Sequence, residues 1–342
     1  MSFDESEPKR ILVTGVAGFA GSELLRQLEE DDRVEYVAGV DFREARYAFK
    51  RAEVINADLR TTGLKHLIES IRPDTIVHLL HLGSDREAAS IDGEAHEINV
   101  MGTINLVATV QSMAFVRKFV LMSGLHVYGA DPLDAAVLTE DTRPRFPART
   151  RYAGDLHEIE NAVSHLGRSG RNMLLTCLRV GDIIGPRVNN SMSRYLAMPL
   201  VPTVMGFDPR LQFCHEDDAV GVLKRAALLT LPGLYNVVGD GVIYLSRILR
   251  LGQRFQLPVA APFLGLVFDA LRTFGLTDLQ PHHLLLLRYG RVVDNRHLKT
   301  RFGYTPRYST VEAVLDLYSK STPKPAVTDQ SEQLPARRVA AA

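Results

Sequence analysis

The chain has little cysteine: two residues in 342, Cys177 and Cys214, far apart and in no C-x-x-C pattern. That excludes a disulfide framework and argues against a zinc ribbon or finger. It lacks a charge bias as well, since forty basic residues balance forty acidic ones and no run of five like charges occurs. Nucleic acid is therefore not expected as the main partner, and an RNA-binding role is disfavoured. No long uncharged apolar run is present. The longest apolar stretch, 259–276, is interrupted by Pro262, Asp269 and Arg272, too short and too charged for a membrane span. Its apolar positions Leu264, Val267, Phe268, Leu271 and Phe274 recur at helical spacing, which predicts a packed lid or core helix, with a membrane-surface contact as the lesser reading. The first nine residues are acidic and polar rather than charged-then-apolar, so no secretory leader is expected and a reducing cytoplasm is the expected location. No internal repeat is evident. Residues 1–8 and 321–342 read as disordered ends.

What the chain does have is alternation. Short β-branched runs at 11–14, 36–40, 54–56, 75–79, 118–122 and 173–178 read as buried parallel strands. Amphipathic segments at 22–30, 64–71, 96–111 and 155–166 read as the helices between them. Strand, crossover helix and strand in succession predict right-handed βαβ units, hence an α/β protein with a doubly wound parallel sheet.

The first strand runs into Thr14-Gly15-Val16-Ala17-Gly18-Phe19-Ala20-Gly21. Gly15 permits a tight turn, Gly18 lets backbone approach a pyrophosphate, and Gly21 lets the helix pack closely on the strand. The amides around Phe19 and Ala20 open that helix, where a phosphate is favoured. Twenty residues after Gly21, Asp41 ends the second strand, placed to hydrogen-bond ribose hydroxyls. A carboxylate there repels a 2′-phosphate, so NAD is expected over NADP; Arg43 and Arg46 lie close enough to blur the choice.

With these features the sequence resembles an extended short-chain dehydrogenase/reductase of the NAD-dependent epimerase/dehydratase family, from about residue 10 to 318. The resemblance also rests on Asp58-Leu59, His78-Leu79, Asn99-Val100-Met101-Gly102-Thr103, Val127-Tyr128-Gly129, Leu178-Arg179, Gly185-Pro186, Phe213-Cys214-His215-Glu216-Asp217-Asp218 and Tyr235-Asn236-Val237-Val238-Gly239. It implies a Rossmann domain over 9–181 and about 211–240, and a smaller substrate lobe over about 182–210 and 241–320. It implies adenine held near Asp58 and Leu59, and cofactor contacts from Leu80, Asn99 and Tyr152. It also implies a homodimer through helices at 96–111 and 155–166, whose apolar residues Leu106, Val110, Leu156, Ile159 and Val163 permit pairing but are equally explained by packing on the sheet.

The family's chemistry uses a tyrosine whose pKa is lowered by a lysine one helical turn on, with a serine or threonine holding the substrate oxygen. Tyr152 falls on the tyrosine position, but Leu156 falls on the lysine position. Unassisted, only about one tyrosine in a thousand is phenolate at pH 7, a deficit of about 4 kcal/mol. The serine position is Gly124. Ser123 is adjacent, though a one-residue shift in a strand points a side chain to the other face. Ser123, His126 and His81 are the candidate substitute groups beside Tyr152. Leu211 stands where sugar-nucleotide enzymes carry a phosphate-binding arginine, with Arg210 next to it, and Asp182 replaces their substrate-contacting asparagine. A nucleotide-sugar substrate is therefore in doubt, and the small-molecule substrate is unidentified. His282-His283 cannot share one helix face and has no carboxylate nearby in sequence, so no metal site is expected. Two readings stay open: an NAD-dependent oxidoreductase or epimerase with weak or non-standard catalysis, and a non-catalytic NAD-binding sensor or scaffold.

Overall fold

The structure is a computed structural model that describes residues 7–45, 47–80, 95–144, 147–168 and 173–319. His81, Arg46 and the expected disordered ends up to Ser6 and beyond Ser319 lie outside these residues.

Seven parallel strands form the central sheet: β1 (Lys9–Thr14), β2 (Val34–Asp41), β3 (Glu53–Asn56), β4 (Thr75–Leu79), β5 (Lys118–Gly124), β6 (Leu174–Val180) and β7 (Gly233–Val237). Their order across the sheet is β7-β6-β5-β4-β1-β2-β3. The chain winds outward from β1 in one direction, then returns and winds outward in the other, so the order reverses between β1 and β4. Ligands of such sheets bind in the crevice that this reversal opens beyond the strands' carboxyl ends. The expected doubly wound sheet is therefore present, with β4 spanning the residues read from the sequence.

Near-continuous burial of β4 and β5 follows from their position in the middle of a sheet covered on both faces. Helices α1 (Phe19–Glu29), α2 (Leu64–Ile71), α3 (Gly102–Gln111) and α4 (Arg151–Arg168) supply the crossovers. One face of the sheet packs Leu106, Val110, Leu156, Ile159 and Val163 into a single core with Leu121 and Phe119. All five helix residues are at most 5% exposed within one chain. The apolar faces read as able to pair two copies are thus consumed in covering the sheet. The other face packs α1 and α6 (Glu216–Leu228) against Ile11, Val13, Val77 and Val120, joined by Leu298 and Phe302.

A third core gathers residues of 184–213 and 243–318: α5 (Ser191–Ala197), α7 (Leu245–Leu251), α8 (Leu264–Thr273) and the segment around Val314 and Tyr318. Within 259–276, Leu264 and Phe268 are buried and Val267 and Leu271 pack against them. Phe274 does not join this face: it is 77% exposed, because α8 ends at Thr273 and the chain turns at Gly275. Among the described residues no helix is long and apolar enough to cross a membrane.

Candidate functional site

The glycine turn sits at the carboxyl end of β1. Gly15 has φ of +77°, and a Cβ there would lie 2.6 Å from the Leu79 carbonyl oxygen of the neighbouring strand, so two separate constraints demand glycine. At Gly21 a Cβ would approach the Gly15 carbonyl oxygen to 2.3 Å, which is the close helix–strand packing read from the sequence. Gly18 differs, since the nearest protein atom to a Cβ there is the Gly15 oxygen at 3.4 Å. The protein itself leaves room at 18, so no packing contact within the chain demands glycine there. Gly18 caps α1 without a side-chain acceptor, and the helix's first turn carries no acidic residue. The amides around Phe19 and Ala20 are left to an anion.

Asp41, at the end of β2, is buried and accepts hydrogen bonds from the Ala17 amide at 2.9 Å and the Arg43 amide at 3.0 Å, one on each carboxylate oxygen. Each oxygen keeps a lone pair, so the group locks the glycine turn and can still accept from a ribose hydroxyl. Gly15, Asp41, Asp58, Leu59, Leu80 and Asn99 line one cavity together with Phe42 and His78. Six expected nucleotide contacts from five separate stretches of chain thus meet at one place. Asp58 is held by Arg60, which keeps its carboxyl below the usual range. Asn99 lies in a π-helical turn, Glu97–Met101, that leads into α3. His78 is fixed between the Thr14 and Thr103 hydroxyls at 2.7 and 2.8 Å, and burial lowers its pKa to about 4.

A second cavity opens beyond β5 and β6, lined by Ser123, Gly124, His126, Tyr152, Asp182, Ser191, His282 and His283 among others. A Cβ at Gly124 would lie 3.8 Å from the Tyr152 hydroxyl and 3.5 Å from Leu156 Cδ1, so position 124 faces the phenol and an added side chain would fit. The serine is missing from the right place rather than displaced by a bulge. Ser123 points elsewhere: its hydroxyl donates to Glu160 at 2.7 Å, and Glu160 also holds Arg179. Ser123 is a member of that buried ion-pair network, and its pairing with Glu160 turns it away from Tyr152. Leu156 is fully buried in the sheet-covering core. Tyr152 is therefore unsupported. Burial first, then the carboxylates of Asp182 and Asp155, push its pKa well above the ordinary phenol value, with Arg291 opposing.

His126 does come to Tyr152, with ring centroids 5.8 Å apart. His282, which sequence reasoning set aside, comes closer at 4.4 Å. The histidine pair begins helix α9 (Pro281–Tyr289), and both rings converge on His126, His282 at 4.6 Å and His283 at 5.4 Å. Adjacent residues diverge around a helix body, but at its first turn both side chains can lean back past the helix start, and here they lie 4.1 Å apart. A carboxylate is also present: Asp182 Oδ1 lies 3.9 Å from His126 Nε2 and 3.7 Å from His283 Nε2. Both premises for dismissing the pair, divergence and the lack of a nearby carboxylate, are thus corrected by the tertiary structure. Burial, together with Arg291 and the neighbouring imidazoles, holds the His126 and His282 pKa values well below the usual range, so both rings are neutral at pH 7.

Arg291 was not singled out from the sequence. It follows α9, donates to the Gly129 carbonyl at 3.2 Å, and is the cation that acts on Tyr152, His126 and His282. A sequence signal for it was lacking, since Gly129 and Tyr152, which its guanidinium meets, lie more than 100 residues away. Leu211, by contrast, is 1% exposed in the lobe's core, and Arg210 beside it is exposed.

Comparison with known proteins agrees with this geometry. A family model described as NAD dependent epimerase/dehydratase family matches residues 11–237. An uncharacterized protein of Mycobacterium tuberculosis is 37% identical over 317 residues, covering 91% of this chain and 84% of that protein. The UDP-glucose 4-epimerase of Mycolicibacterium smegmatis is 33% identical over 159 residues, 42% of this chain and 47% of that enzyme. Among solved structures, MoeE5 in complex with UDP-glucose and NAD superposes with a TM-score of 0.70 at 20% identity, over 91% of this chain and 98% of that one. The Thermotoga maritima UDP-glucose 4-epimerase with UDP-glucose gives 0.70 at 18% identity, with the same coverage.

Proposed function

The chain belongs to the NAD-dependent epimerase/dehydratase family, and from that premise we propose that it binds NAD in the Gly15–Asp41–Asn99 cavity and acts as an oxidoreductase or epimerase with a non-standard acid–base set. The observation that carries the reading is the adjacency of the two cavities: the nucleotide contacts and the Tyr152–His126–His282 group both lie at the carboxyl ends of the strands, β1 and β4 for one and β5 and β6 for the other.

NAD, when bound, supplies hydride acceptance from a carbinol carbon. The residues of this chain do the rest. Gly15, Gly18 and the start of α1 hold the pyrophosphate, Asp41 the ribose, and Asp58, Leu59 and Asn99 the adenosine side. Tyr152, protonated at pH 7, donates a hydrogen bond to the substrate oxygen instead of abstracting its proton as a lysine-assisted phenolate would. The chemical step then relies on the imidazoles beside it, and Arg291 is the cation available to an anionic part of the substrate. The substrate class is an alcohol or ketone. A nucleotide-sugar has Arg291 in its favour and the Asp182 carboxylate and Leu211 against it.

One specific observation favours the second reading, an NAD-binding sensor or scaffold without turnover: Leu156 is built into the core and Ser123 into the Glu160 network, so neither can be recruited.

A single pair of measurements separates the two. Calorimetry with NAD and NADH tests binding, and nicotinamide absorbance with alcohols, ketones and UDP-glucose tests turnover. Turnover that vanishes in Tyr152→Phe while NAD affinity persists supports the enzyme. Binding without turnover, unchanged when Gly124→Ser and Leu156→Lys are introduced together in a folded protein, supports the sensor. Absence of binding to either nucleotide overturns both.

A further inference from the structure

The imidazole cluster offers more than a proton relay. His126 comes from the turn after β5, His282 and His283 from the first turn of α9, and one ring nitrogen of each lies within 4.8 Å of those of the other two. His126 is 7% exposed, and its Nε2 is buried without a hydrogen-bond partner. A buried imidazole nitrogen facing other imidazoles is costly unless something satisfies the lone pairs. Asp182 Oδ1 stands beside the cluster, nearly 4 Å from two of its rings, adding a carboxylate oxygen to three imidazole nitrogens. Imidazoles and a carboxylate around a small cavity are the donor set of a borderline-soft divalent ion.

The geometry points to a binding site for one divalent transition-metal cation, zinc being the reference ion, held by His126, His282 and His283 with Asp182 as its neighbouring anion. In tetrahedral zinc, with Zn–N about 2.0–2.1 Å, ligand atoms are about 3.4 Å apart, so the nitrogens draw in by at most about 1.4 Å from their 4.8 Å limit. Rotation of the part-exposed His282 ring supplies much of that. His283 gives up the long 3.3 Å contact that its Nδ1 accepts from the Gln280 amide, because Nδ1 must carry the ring proton when Nε2 binds a cation. Three protein nitrogens leave a position open toward the cavity, where Tyr152 and Gly124 stand. A cation there brings positive charge close to Tyr152, which has Leu156 rather than a lysine one helical turn on, and it can take a substrate oxygen as its last ligand. The site stands on the side-chain geometry alone and does not depend on the nucleotide reading.

The test uses the full chain without a histidine tag, stripped with EDTA and dialysed, then titrated with Co2+. The expected result is intense visible bands of low-coordinate Co2+ that saturate at one equivalent and are bleached by Zn2+. His126→Gln and His282→Gln, checked for folding by circular dichroism and urea midpoint, should each weaken binding by more than the about 100-fold that outer-shell partners cost. His283→Gln should also weaken it. His282 has the more exposed ring, so its variant decides if His126→Gln fails to fold. No saturable band, or a band that persists in folded His282→Gln, overturns the site. NAD affinity measured on the same samples keeps the two readings apart: Co2+ bands without NAD binding overturn the nucleotide reading alone.

Discussion

The two halves of the crevice are built differently. In the nucleotide half, Gly15, Gly21, Asp41 and His78 each have a geometric reason visible in the protein itself: a positive φ, a Cβ that cannot fit, an amide that must be accepted, two hydroxyls bridged by one ring. In the chemical half, Gly124 is open space beside a phenol, Leu156 is core, and Ser123 serves an ion pair. Groups that also hold the fold together are present in this chain, whereas among the described residues no lysine or serine stands beside the Tyr152 phenol and three imidazoles crowd in. The lesson is that a retained motif is informative about function only after its structural duty has been subtracted, and by that measure Gly18 speaks more clearly for a bound nucleotide than Gly15 or Gly21.

The sharpest way to break this comparison is at Gly21. Gly21→Ala must push a Cβ against backbone at 2.3 Å, and should cost about 3 kcal/mol or more in urea unfolding together with NAD affinity. A nearly neutral result would mean that α1 is not seated on β1 as described. Next in size is a pH effect. Folded His78 titrates at about 4 and an unfolded histidine near 6.5, so the unfolded chain binds the extra proton first. Stability is therefore full above pH 6.5 and falls as the pH drops through that value towards 4, with about 2 kcal/mol lost at pH 5 from this residue. Urea midpoints at pH 7 and pH 5 should differ less in His78→Gln than in the parent chain.

Asp41→Ala should weaken NAD binding about tenfold or more, as loss of a charged hydrogen bond does. Calorimetry that shows no change would remove Asp41 from the ribose. Ser123→Ala should cost about 1 kcal/mol of stability through the lost Glu160 bond and leave NAD affinity and any turnover intact; a collapse in turnover would return Ser123 to the chemistry. Smallest of all, Gly124→Ser alone should leave the urea midpoint almost unmoved, since its Cβ meets neighbours only at ordinary contact distances.

Sequence alone determined the sheet, the crossovers and the glycine turn, because these depend on short-range signals. Strand runs are apolar on both faces, a turn needs glycine at fixed spacing, and an acidic residue ends the second strand. The presence of Leu156 and Gly124 was equally legible, as it is a matter of register along one helix and one strand. Only the tertiary structure decided what surrounds Tyr152. Asp182 follows β6, His126 follows β5, and His282 and His283 stand in the first turn of α9 with Arg291 just beyond its end, far along the chain. Nothing local in the chain announces that they meet. Their meeting depends on how the smaller lobe's core seats α9 over the end of the sheet, and long-range packing of that kind leaves no periodicity to read.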